Sequence, residues 1–524
     1  MTKKATYDIL FIPIVAAICH ILFSKYGFNP TDEGFVLSAS NRILHGQIPH
    51  VDFSSVRPLG YAYLHIPELL ISKTHFFLVS RFVFWLEQVL IAFLWIRFLI
   101  NYSKQEISTF NKYSLVIICF VFNVHYFPAS VLHTIDGLLM CMIGLNIISS
   151  EKKWSFIGFI FIGFAALCKQ NYLVMLPIIL FLFGRKNVLL YSVAGLLPII
   201  IYVVLISFYG GWNDLITQLS GHNELIKVGM LSYTKSRLFF AGIITSFFVL
   251  KSRYTIIKHL LFCTLLLVCF YAMCTYRYHE RYSFLILGSS IGALMVTIIK
   301  SEFKFCVVFT IGITLGWCVS ISVGYNSPAL FLGASLTSFY FYLNNSSTAK
   351  PSLKVSYILF ILTPSLVLFC YIRYHLIYRE TPKSTLTYSL NNIVEGASGI
   401  YTNKNTFLVL QELDSLKKTI PGIIVIPDFT SCNILHSHAS KILTEWPNKT
   451  EIPNQKILDF IIRPFVNDTS SLILIPKYNT SVLCIKFEKT SPEKVSDFLL
   501  LSYIFNHYKK SQEFSYFELY RKQK

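Results

Sequence analysis

Ile9-Leu10-Phe11-Ile12-Pro13-Ile14-Val15-Ala16-Ala17-Ile18-Cys19-His20-Ile21-Leu22-Phe23 carries no acidic or basic residue other than one histidine, and Ser24-Lys25 ends it. Such a run reads as a membrane-spanning helix. It lacks the small-residue cleavage site of a signal peptide, so a retained first span is expected. The same reading extends along the chain. Of its 524 residues, 54% are hydrophobic and 14% charged, and the mean hydropathy is +0.55. A soluble protein of this length could not cover that much apolar surface with so few charges.

Further apolar runs stand near 78–100, 114–128, 134–150, 155–168, 172–184, 188–209, 237–250, 259–274, 283–299, 305–323, 329–343 and 355–371. With a first span near 8–24, about thirteen crossings are expected. The runs 155–168 and 172–184 flank Lys169-Gln170-Asn171 and are short enough to form a broken or re-entrant unit. Thirteen crossings put Lys3-Lys4, Lys152-Lys153, Arg185-Lys186, Lys251, Arg253, Lys258, Lys300, Lys304, Lys350 and Lys354 on one face. The positive-inside rule makes that face cytoplasmic. The net charge of +19 is thereby explained without nucleic acid, for which no basic stripe with interleaved aromatics is present. The twelve cysteines mostly lie in apolar runs and no CxxC pair occurs. Cys432 and Cys484 are the pair in the polar tail that a disulfide could join.

Two domains are expected: residues 1–371 as the transmembrane part, and residues 372–524 as a small α/β domain on the outer side. The tail's strand-like runs are Gly422–Pro427 and Ser471–Ile475, and its helix-like stretches are Phe407–Lys418 and Pro492–Lys509. The outer segments 25–77 and 210–237 are long. The first of them reads Asn29-Pro30-Thr31-Asp32-Glu33-Gly34, then an amphipathic stretch from Phe35 to His45, then Gly46-Gln47-Ile48-Pro49-His50-Val51-Asp52-Phe53 and Ser54-Ser55-Val56-Arg57-Pro58-Leu59. The amphipathic stretch is expected to rest in the membrane interface with its apolar face toward lipid.

That ordered combination resembles the opening of C-type (GT-C fold) membrane glycosyltransferases, in particular the protein O-mannosyltransferase and lipid A aminoarabinose transferase branch. An apolar span is followed by Asp-Glu-Gly, a helix, G-x-x-P-x-x-D-F and a basic residue before proline. The branch usually has Lys-Pro-Pro where this chain has Arg57-Pro58-Leu59. Asp136 resembles an Asp at the outer start of the fourth span, Lys169 a Lys-containing break after the fifth, and Arg281-Tyr282 an Arg-Tyr before a later span.

The resemblance implies a mainly α, GT-C-like fold and transfer of a sugar, with inversion, from a polyprenyl-phosphate donor to an outer-face lipid, glycan or protein. Asp32 would then take the acceptor proton, with Glu33 orienting the acceptor or the base. Arg57, Lys169, Arg277 and Arg281 would hold the donor phosphate, since arginine forks match phosphate oxygens. Arg81 is a weaker clamp. The ordinary alternative for each cation is a side chain snorkelling at a span end.

Asp52 reads as a second site carboxylate or as a turn residue, and Asp136 as a site carboxylate or a helix cap. His50, His65 and His133 could meet a phosphate or a metal, but no helical His pair stands at metal spacing, so no metal is assigned. Glu87, inside a span, would suit a proton path. It supports the rival readings of a transporter or flippase of lipid-linked sugars; a glycan polymerase is a third. A bacterial plasma membrane, with the N-terminus cytoplasmic and the tail outside, is the expected location.

Overall fold

The computed structural model describes all residues except 1–2, 125–126, 151, 185, 223–230, 232, 275–280, 321–330, 346–350, 427–428, 467, 469, 481–482, 484–497 and 524. The chain is mainly helical. Its helices are α1 (Lys3–Phe23), α2 (Phe35–Leu44), α3 (Gly60–Leu64), α4 (Ile66–Ile71), α5 (Phe76–Ser103), α6 (Thr109–Val124), α7 (His133–Ser150), α8 (Ser155–Cys168), α9 (Met175–Phe183), α10 (Val188–Phe208), α11 (Trp212–Leu219), α12 (Arg237–Lys251), α13 (Thr255–Cys274), α14 (Arg281–Ile299), α15 (Phe303–Ser320), α16 (Leu332–Asn345), α17 (Pro351–His375), α18 (Lys404–Thr419), α19 (Gln455–Val466) and α20 (Leu499–His507). Each apolar run of the sequence coincides with a helix. Among the described residues seven helices are long and apolar enough to cross a membrane: α5, α7, α10, α13, α14, α15 and α17.

The outside of the bundle is itself apolar. In α10, Leu189 is 79% and Phe208 82% exposed, a surface that water would disfavour and lipid would not. Between helices, small residues let backbones touch. A Cβ at Gly163 of α8 would lie 1.8 Å from the Gly195 carbonyl oxygen of α10, and one at Gly288 of α14 would lie 2.1 Å from the Phe239 oxygen of α12. Lipid gives helices no hydrophobic reason to associate, so close packing of this kind holds them together. The break after α8 is real: Lys169 is extended (φ −154°, ψ 126°) and a 3₁₀ turn, Gln170–Val174, follows before α9.

The tail forms two small sheets. Strands β1 (Tyr388–Ser389) and β2 (Tyr401–Thr402) pair antiparallel. The second sheet has the order β3-β4-β6-β5. In it β3 (Ile424–Val425) runs parallel to β4 (Leu472–Pro476), and the hairpin of β5 (Tyr508–Glu513) and β6 (Phe517–Lys522) completes it, antiparallel to β4. Isoleucines of α19 and of β3 and β4 build its core, and Val56 of the first loop is buried in that same core.

The amphipathic helix α2 is enclosed by protein on both its apolar and its polar side. Phe35 through Arg42 are all buried. The expectation of an interfacial helix fails because the tail covers the polar side. Arg42 Nη2 donates to the carbonyls of Ile442 (2.8 Å) and Thr444 (3.1 Å), and Asn41 Nδ2 donates to Leu435 O at 3.3 Å. Fixed carbonyls replace the water that the polar face would otherwise need.

Candidate functional site

The chain leaves α1 and folds back at Asn29. Asn29 Oδ1 accepts from the Thr31 backbone N–H (3.0 Å), the Thr31 hydroxyl (2.8 Å) and the Asp32 backbone N–H (3.3 Å). This local turn, which short amide side chains favour, gives Asp32 and Glu33 different partners. Gly34 is required next: a Cβ there would lie 2.5 Å from Ser431 Cα of the tail.

Asp32 is partly exposed. Its Oδ2 accepts from the Tyr378 hydroxyl at 2.7 Å and lies 2.8 Å from Arg379 Nη1; the Asp32 side chain is 19% and that of Arg379 33% exposed. Glu33 is buried instead. Arg81 grips it with two bonds, Nε to Oε1 at 2.5 Å and Nη2 to Oε2 at 2.8 Å. The same guanidinium donates to the Ser24 carbonyl and to Gly27 O at 2.7 Å. Arg81 is therefore committed to shaping the exit of α1. A cavity of about 40 Å³ beside this pair is lined also by Arg373.

Arg57 is buried in a different company. Its Nη2 and Nη1 donate to Glu451 at 2.6 and 3.1 Å, and Nη1 stands 3.4 Å from Glu445. Glu445 also accepts from the Ser55 hydroxyl (2.9 Å) and the Tyr61 hydroxyl (3.1 Å). Burial pulls the guanidinium pKa down, but Glu451 and Glu445 outweigh it and push it up. Burial pushes the Glu445 carboxyl up to about 8, Arg57 opposing and Glu451 adding to the rise. The Phe35 ring lies under the Arg57 guanidinium, 5.6 Å away, and stacks on Trp446.

Neither Asp32 nor Arg57 lines the cavity that opens between α2 and the tail. That cavity, about 320 Å³, is lined by Arg42, Lys417, Thr430, Lys441 and Glu445 among others. Among the described residues, the buried atoms Arg42 Nε, Thr430 Oγ1 and Glu445 Oε2 have no hydrogen-bond partner.

The remaining candidates are scattered. Lys169 is buried and donates to Cys318 O at 2.9 Å, while Arg57 and Lys169 both lie within electrostatic reach of His133. Asp52 accepts from the Ile48 backbone N–H at 2.6 Å, the arrangement of a turn residue. Asp136 is buried in the first turn of α7 and meets His65 Nε2 at 3.0 Å; His65 Nδ1 meets Glu68 at 2.6 Å. His50 bridges the loop to α10 and α11. Its Nδ1 pairs with Gln218 Oε1 (2.7 Å) and its Nε2 with the Tyr202 hydroxyl (2.9 Å), and burial pushes it down to about 4. Arg277 and the side chain of Arg281 lie outside the described residues. So does Cys484; Cys432 is a free thiol.

Sequence reasoning did not name Tyr378, Arg379, Glu445, Glu451 or Glu68. The first two follow the last apolar run, where a basic residue reads as snorkelling, and the glutamates stand in a tail without a motif. Set against protein-family models, curated proteins and solved structures, the chain matches none of them.

Proposed function

We propose that the protein is a GT-C-like membrane glycosyltransferase of about thirteen spans. It transfers a sugar, with inversion, from a polyprenyl-phosphate donor to an acceptor at the outer face of a bacterial plasma membrane. One observation carries the reading: where α1 leaves the bundle, a partly exposed carboxylate, Asp32, and a partly exposed guanidinium, Arg379, stand 2.8 Å apart.

The chemistry follows from that pair. The acceptor hydroxyl gives its proton to Asp32 as its oxygen attacks the anomeric carbon. The bond from that carbon to the lipid phosphate breaks, and its electrons leave with the phosphate. A guanidinium already fixed at that point stabilises the growing charge. Donor binding would draw Arg379 from Asp32 onto phosphate and leave the carboxylate able to accept a proton. Arg57 is better read as a positioning residue than as a clamp, because Glu445 and Glu451 already fill its donors.

The test is transfer from a radiolabelled polyprenyl-phosphate sugar by the wild type and by Asp32→Asn. Full transfer by the variant would refute the base assignment. Glu87 supports a second reading, a transporter of lipid-linked sugars. It is buried on α5, roughly 16 Å along the helix from its start, beside His65 and Asp136. Movement of labelled lipid across the membrane without any transfer would favour that reading.

A further inference from the structure

Beneath the first loop, three elements converge on one dry point. His65 lies between α3 and α4, Glu87 on α5 and Asp136 on α7, with relative exposures of 1%, 7% and 0%. One ligating atom from each, an imidazole nitrogen and two carboxylate oxygens, lies within 4.8 Å of the others. Glu68, 2% exposed, adds a third carboxylate through His65. Three carboxylates are thus buried with one imidazole, and His65 pairs with two of them, Glu68 and Asp136. Among the described residues no donor group stands against Glu87 Oε2, Asp136 Oδ2 or Glu68 Oε2, all buried, and the Glu87 and Asp136 carboxyls are close enough to share a proton. Burying three carboxyl groups around one imidazole is costly unless a shared proton or a cation offsets their charge.

The imidazole is set as a metal-bound histidine is set. Its Nδ1 is held by Glu68 at 2.6 Å, and Nε2 faces Asp136 at 3.0 Å. A histidine ligand typically gives its other ring N–H to a carboxylate, which fixes the tautomer and turns the free nitrogen to the ion.

We propose that His65 Nε2, Glu87 and Asp136 bind one divalent cation of the zinc–manganese class, with Glu68 as the positioning residue for the imidazole. An imidazole together with carboxylates suits those ions better than calcium or magnesium, which take oxygen alone. The site ties the loop before α4 to two bundle helices. It is independent of the transfer reaction, and its test measures metal and not turnover.

The full-length chain, purified in detergent and stripped with a chelator, is incubated with ZnCl2 or MnCl2, desalted and analysed by plasma mass spectrometry. About one equivalent of one of the two metals is expected per chain, with a rise in Tm on reloading. Glu87→Gln and Asp136→Asn should each cut occupancy at least tenfold. Glu68→Gln should weaken affinity by about 10–100-fold, as loss of a partner to a metal-bound histidine does. The wild-type Tm with chelator against ZnCl2 or MnCl2 needs no variant and stands even if one fails to fold. Occupancy below a tenth of an equivalent, with no change in Tm, would overturn the proposal and assign the cluster to shared protons. Unchanged occupancy in a folded Glu87→Gln protein would overturn it as well.

Discussion

Asp32 and Arg57 open and close the same segment between α1 and α3, yet they live in opposite surroundings. Asp32 keeps a partly exposed carboxylate beside a partly exposed arginine. Arg57 is buried, with both of its terminal nitrogens on glutamates of the tail. A buried and saturated cation is architecture, because releasing it would strand two carboxylates. A partly exposed pair gains little from its own attraction, so a ligand can replace one partner at small cost. The loop therefore anchors at one end and leaves the other open to chemistry.

This contrast can be broken in four ways. The largest effect is expected from Asp32→Asn: the rate of sugar transfer should fall by about 10²–10⁴-fold, with thermal stability almost unchanged. Loss of stability in step with activity would merge the two ends into one structural role. Next comes Arg57→Met, which should cost about 3–5 kcal/mol in denaturant unfolding, the usual penalty for an unpaired buried charge. Adding Glu445→Gln and Glu451→Gln should recover much of that loss, and no recovery would show that the glutamates are not its cause.

His50 gives a third handle on the anchored end. Its pKa is pushed down to about 4 by burial, so the folded state binds fewer protons than the unfolded chain below pH 6.5. Stability is then full above pH 6.5 and is lost as pH falls toward 4, by at most about 3 kcal/mol. Unfolding midpoints measured from pH 7 to pH 4 should show this slope, and His50→Gln should flatten it. The smallest effect is expected at the open end. Arg379→Gln should change stability by less than about 1 kcal/mol while raising KM for the donor. A drop in stability as large as that of Arg57→Met would remove the contrast.

Much of the fold was legible because hydropathy is a local quantity. Each apolar run of the sequence became a helix, and β3, β4 and α18 lie in the stretches that alternation and helical period picked out. The broken unit at Lys169 was also legible, from a charged break between two short runs. Helix α2 was misread for a related reason. Its amphipathicity is genuine, but periodicity states only that one side is polar, not whether water, headgroups or the carbonyls of Ile442 and Thr444 will satisfy it.

The sequence by itself determined that the chain forms helices long and apolar enough to cross a membrane and that Asp32, Glu33 and Arg57 crowd the segment after its first apolar run. Tertiary structure alone decided which of those charges are occupied. Arg57 meets Glu451 across 394 positions and Asp32 meets Tyr378 across 346, and His65 meets Asp136 across 71. Residue type and local spacing state what a side chain can donate or accept. Whether the donor is already filled depends on which distant segment the backbone carries to it, and no neighbour in the sequence records that.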